Sequence, residues 1–123
     1  MILISVPISL AQELSADEHE LYEFIMDYRT SMNLPLIPLS KSLTYVAQTH
    51  SRDLAENRPD HDQCNLHSWS KMGKWKSCCY TSDHAKAQCM WDKPKEMTGY
   101  VYPGYEISCV GTSTLSPNEA LDI

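Results

Sequence analysis

Apolar residues recur at helical spacing twice in the first half of the chain. Leu21, Phe24, Ile25, Tyr28 and Met32 form one such stripe, and Ser15-Ala16-Asp17-Glu18 ahead of them has the form of a capping box. The pattern predicts an amphipathic helix over about 16–32, ended by Asn33 and by Pro35 and Pro38, which force an extended connection. Ser40 suits a second N-cap, and Leu43, Val46, Ala47, His50 and Leu54 make one stripe of a helix ending near Asn57. His50 lies on that apolar face, where a lone histidine reads as a hydrogen-bonded core residue rather than a ligand.

From Arg58 to Tyr100 the period is lost. This stretch holds Trp69, Trp75 and Trp91 and four of the five cysteines. A short helix fits residues 83–91, limited by Pro94. So long an irregular segment is unusual in a compact domain, and disulfides with tryptophan packing are the expected means of holding it. Pro103-Gly104 marks a turn, and residues 105–110 predict a strand. Its alternation puts Tyr105, Ile107 and Cys109 on one face and Glu106, Ser108 and Val110 on the other. Ser116-Pro117-Asn118-Glu119 has the form of another helix start, one turn before Ile123, which predicts a fragment of a longer chain.

Composition narrows the class. At 123 residues the chain is one domain at most, and 42% hydrophobic against 21% charged residues argues for a folded one. A formal charge of −6 gives no support for nucleic acid or an anionic membrane as partner, since phosphate binding needs clustered Lys and Arg. The one basic stretch, residues 71–76, is interrupted by Met72, Gly73 and Trp75 and reads as a solvated loop. Residues 1–10 are almost wholly apolar, and Ser9-Leu10-Ala11 then resembles a signal-peptidase site. Residues 1–11 are therefore predicted to be a signal peptide, trimmed at its front, with the domain proper over 12–123. The run is too short for a transmembrane helix, which needs about 20 apolar residues. The predicted location is secreted, extracellular or periplasmic.

Five cysteines in so short a chain agree with export. Vicinal Cys78 and Cys79 seldom bond to each other, because the linking peptide strains the bridge. They are expected to pair outward to Cys64 and Cys89, in either order, leaving Cys109 odd. The spacing lacks the two close ligand pairs of a zinc ribbon. Ser68 beside His67 invites a serine-hydrolase reading, but adjacency in sequence is not triad geometry. His61 and His84, among Asp60, Asp62 and Asp83, read as solvated loop residues.

The order of motifs resembles the CAP superfamily of cysteine-rich secretory, venom-allergen and pathogenesis-related proteins. Tyr28-Arg29 ends the first helix, Leu34-Pro35-Leu36-Ile37-Pro38-Leu39 follows, and Leu43, Ala47 and His50 match a Leu-x-x-x-Ala-x-x-His helix. Asn65-Leu66-His67-Ser68-Trp69-Ser70 is similar to the family's His-Ser motif, and Gly104-Tyr105-Glu106-Ile107 to its Gly-Glu-Asn-Ile motif. The paired cysteines and Cys89-Met90-Trp91 resemble an exported microbial subgroup. The likeness covers about residues 16–123. Tyr105 is an insertion relative to the motif, Ile107 replaces its asparagine, and 38 residues separate His67 from Glu106, more than in compact members. The family's later Gly-His motif and last strands have no counterpart.

The resemblance implies an α+β fold, an α-β-α sandwich lacking its last strands. It implies a cleft that in some members holds a divalent metal such as zinc, with His67 and Glu106 as the matching ligands and as the weak candidates for catalysis. Glu119 does not align with the family's second acid. Half a site favours a non-catalytic extracellular module binding a lipid, sterol or macromolecule. The alternative is a metal-dependent hydrolase or peptidase whose second histidine lies beyond Ile123.

Overall fold

A computed structural model describes residues 13–111. The predicted signal peptide and the helix start at Ser116 lie outside the described residues. Helix α1, Ala16–Ser31, begins on the predicted capping box: the Ser15 hydroxyl accepts from the Glu18 amide at 3.2 Å, and the Glu18 carboxylate accepts from the Ser15 amide at 2.7 Å. It ends in a Schellman motif. Asn33 sits at φ 56°, the Leu34 amide donates to the Arg29 carbonyl and the Asn33 amide to the Thr30 carbonyl. Helix α2, Lys41–Asn57, starts on Ser40, whose hydroxyl accepts from the Leu43 amide at 3.3 Å.

The two helices differ in what they bury. No residue of α1 is buried, and Tyr28 and Met32 of its predicted apolar stripe are 55% and 56% exposed. The connection holds to α1 through polar contacts instead: the Tyr22 hydroxyl donates to the Ile37 carbonyl, and Arg29 Nε to that of Pro35. Gln48 of α2 donates to the Glu18 carboxylate at 2.8 Å and so ties the start of α1 to the rest. In α2 the buried residues are Val46, Thr49, His50 and Asp53. The buried face is therefore turned from the predicted stripe toward polar side chains, and Ala47 is exposed.

The expected irregular stretch supplies the centre of the molecule. Val46, Trp69, Tyr80 and Cys89 form the apolar core, with Trp75, Met90 and Met97 against it. Trp69 and Cys78 exchange backbone hydrogen bonds of 2.9 and 3.0 Å as an isolated antiparallel bridge. Two disulfides fix the outward pairing and its order: Cys64 joins Cys79, and Cys78 joins Cys89. Cys109 is free and exposed. Pro94 does not simply limit one helix. Helix α3, Gln88–Trp91, stops short, and helix α4, Lys93–Met97, carries Pro94 in its first turn, where the missing amide has no helical partner to lose.

The α-β-α sandwich is overturned. The described residues are 42% helix and 2% strand and contain no sheet. Residues 105–110 keep part of the predicted alternation, with Glu106 and Ser108 less exposed than Tyr105 and Ile107 at 79% and 94%. A strand, however, needs a neighbouring backbone to complete its ladder, and among the described residues none lies alongside. The segment is held by side chains, above all by Glu106.

Candidate functional site

Gly104 sets the approach of this segment to α3 and α4. Its amide donates to the Trp91 carbonyl at 2.9 Å, and a Cβ placed there would come within 2.4 Å of Pro94 Cγ. Only glycine lets the backbone pass so close to the proline ring. Two residues on, the Glu106 carboxylate reaches inward between two imidazoles. His67 Nδ1 lies 2.8 Å from Oε2, and His50 Nδ1 is hydrogen-bonded to Oε1.

The hydrogen atoms of this cluster follow from its acceptors. His50 Nε2 lies 2.9 Å from the Ser68 carbonyl oxygen, which can only accept. His50 thus donates from Nε2, while its Nδ1 shares a hydrogen bond with the Glu106 carboxyl. Burial pushes the Glu106 carboxyl up, but the hydrogen bond and charge of His50, followed by those of His67, outweigh it and hold the group below its ordinary value of 4.5. His50 is 1% exposed and its ring lies flat on Trp69, so hydrogen bonds and stacking meet on one buried side chain. His67 Nδ1 is taken up by Glu106, and its Nε2 has no partner among the described residues. Its ring packs at a tilt on Tyr80, centroids 5.1 Å apart, and not on Trp69.

Sequence reasoning singled out His67 and Glu106, and the structure brings them into hydrogen-bond contact. It read His50 as a hydrogen-bonded core residue, which the structure bears out, but did not join it to Glu106. The helix period placed His50 on an inward face, but its partner Glu106 lies 56 residues away, and no local pattern connects the two. Ser68 is not a nucleophile in this arrangement: it is 1% exposed, its hydroxyl accepts from the Tyr80 amide at 2.9 Å, and both histidines address Glu106. His61 pairs with Asp62 at the surface, and His84 accepts or donates to the Tyr80 hydroxyl at 2.9 Å.

The donor set does not fit a zinc ion. Both nitrogens of His50 and both oxygens of Glu106 are engaged with one another or with Ser68, and His67 Nε2 alone is open, whereas zinc takes three or four convergent ligands. No group of three or more His, Cys, Asp or Glu side chains suited to a metal occurs among the described residues.

What the cluster borders is an apolar cleft of about 230 Å³. Leu43 and Val46 of α2, Met90, Pro94 and Ile107 line it, with Trp69 and Glu106 among its walls. Lys93 also reaches this wall, but its ammonium is spent: it lies 2.8 Å from Glu96 Oε2, donates to the Lys76 carbonyl and sits 5.5 Å from the Trp69 ring centre. No described helix is long and apolar enough to cross a membrane. Compared with known proteins, the chain matches no family model, no curated protein and no solved structure.

Proposed function

We propose that the chain is a disulfide-held extracellular binding module, related to the CAP superfamily by its His67 and Glu106 motifs, that takes the apolar end of a lipid-like ligand. The observation that carries this reading is the apolar cleft against Glu106. Its volume falls under the ~300–1,000 Å³ of sites that bury whole drug-sized ligands, so it suits one acyl chain end or one ring rather than an entire sterol. The His50–Glu106–His67 cluster then acts as the fixed inner wall that keeps residues 104–107 over α2. Two disulfides favour an oxidising compartment, which supports the extracellular part of the reading.

Ala47 lines the cleft while remaining exposed, so Ala47→Phe fills the space without disturbing the core. A fluorescent fatty acid titrated into the full chain is expected to bind, and A47F to bind at least about tenfold more weakly with an unchanged circular dichroism spectrum. Equal binding by A47F sinks the proposal. The metal-dependent hydrolase is the weaker reading, because the His50–Glu106–His67 cluster offers it a single open ligand atom, His67 Nε2.

A further inference from the structure

A second cavity, of about 540 Å³, lies around α2 from the first. Arg52, Asp53 and Glu56 of α2 line it together with Lys74, Trp75 and Met97. It shares no lining residue with the apolar cleft and does not depend on the function proposed for that cleft.

The charges here are of two kinds. Arg52, Glu56 and Lys74 are exposed and make no ion pair among the described residues. Asp53 is 2% exposed and accepts only from neutral donors: the Ser70 amide at 2.8 Å, the Ser70 hydroxyl, and Asn57 Nδ2 at 2.8 Å. A buried carboxylate without a cation beside it projects a negative potential that water screens weakly. Trp75 is half-buried with its indole N–H satisfied by the Ser70 carbonyl at 2.8 Å, so what it offers a ligand is ring surface. A third carboxylate of the lining, Glu96, is paired with Lys93 at 2.8 Å, which leaves two cations and two carboxylates without an ion pair beside an indole ring, a set that complements a small molecule bearing both signs. Its ammonium would rest against the ring and the exposed Glu56, within the field of the buried Asp53, and its anion between Arg52 and Lys74.

We infer that this cavity binds a small zwitterion pairing an alkylammonium with a phosphate, either free or as the headgroup of a lipid. A lone anion would meet Asp53 and Glu56, and a lone cation would meet Arg52 and Lys74. Only a ligand carrying both charges is matched throughout.

Phosphocholine, choline and inorganic phosphate, each titrated calorimetrically into the full chain, test this. Phosphocholine is expected to bind and each half to bind at least about tenfold more weakly. Arg52→Glu and Lys74→Glu lie at exposed positions and are each expected to weaken phosphocholine about tenfold. Arg52→Gln serves in place of R52E if the latter loses its native circular dichroism spectrum. Co-sedimentation with phosphatidylcholine vesicles marks the lipid headgroup as the source, and binding of phosphocholine without sedimentation marks a free metabolite. Absence of phosphocholine binding at millimolar concentration, choline binding as tightly as phosphocholine, or undiminished binding by the folded Arg52 and Lys74 variants overturns the inference. Because A47F alters only the first cavity, it should leave phosphocholine binding intact.

Discussion

The imidazole of His50 lies parallel to the indole of Trp69, with 4.1 Å between ring centres and 7° between planes. In that position both of its nitrogens are hydrogen-bonded, one to the Ser68 carbonyl and one to Glu106. One side chain therefore joins α2, the tryptophan core and the segment after Gly104. Replacing it leaves a partly buried carboxylate with one imidazole fewer and a void over Trp69. His50→Ala is expected to lower unfolding free energy by about 2–4 kcal/mol in urea denaturation. His67→Ala, which empties a more exposed position, should cost about 1 kcal/mol.

Acid should loosen the same cluster. The Glu106 carboxyl is held below 4.5 in the folded chain, so its contribution is fully present above about pH 4.5 and is lost as pH falls through the lower folded value. Glu106→Gln cannot make that contribution. The stability difference between the wild-type chain and E106Q is expected to be about 1–3 kcal/mol at pH 7 and to shrink steadily below pH 4.5. Chemical denaturation across that range reads it directly. Glu96 and Asp60 are also held low by Lys93 and Arg58, so E106Q should keep some acid sensitivity of its own.

Two glycines separate a steric demand from ordinary loop freedom. Gly104→Ala drives a methyl against Pro94 and should cost about 1–3 kcal/mol, whereas the equivalent methyl at Gly99 meets nothing within 4 Å. Gly99→Ala is expected to stay within about 0.5 kcal/mol of wild type. Fatty-acid binding should fall with G104A and hold with G99A, since only Gly104 seats the wall of the apolar cleft.

Zinc offers a check on the donor set. With His67 Nε2 as the one open ligand atom, calorimetric titration of the full chain should give no zinc affinity tighter than about micromolar, and His67→Ala should leave the titration unchanged. A tight site lost in H67A would show that ligands outside residues 13–111 complete it.

The sequence made the two long helices legible because their signals are local. Ser15 with Glu18, Ser40, and Asn33 before the prolines each act within one turn, and the structure uses all of them. The apolar stripes misled on burial. In α1 the stripe stays half-exposed, and in α2 Asp53 is buried where Leu54 was expected, because Ser70 and Asn57 satisfy its carboxylate. The strand failed for a different reason. Alternation records which way side chains point, while a sheet depends on a second backbone that a single segment cannot reveal. For the site, His67 and Glu106 could be found through short motifs. His50 needed knowledge of a contact across 56 residues.

The disulfides carry their own expectation. Removing the Cys64–Cys79 bridge, which spans 15 residues, should cost about 3 kcal/mol. Alkylation of the unreduced chain should add one label, at Cys109.

Because Cys78 reaches forward to Cys89 while Cys79 reaches back to Cys64, the two covalent loops overlap at the peptide bond between the neighbouring cysteines. The opposite order, Cys64 to Cys78 and Cys79 to Cys89, would have left that bond outside both loops. As built, every backbone bond from Cys64 to Cys89 lies within at least one ring. A protease that nicks the exposed lysines at 71, 74, 76 or 86 opens a ring without releasing a piece, and the halves part only when the sulfurs are reduced. For a domain whose centre is irregular backbone, that overlap leaves no peptide bond between Cys64 and Cys89 whose cleavage alone would part the chain.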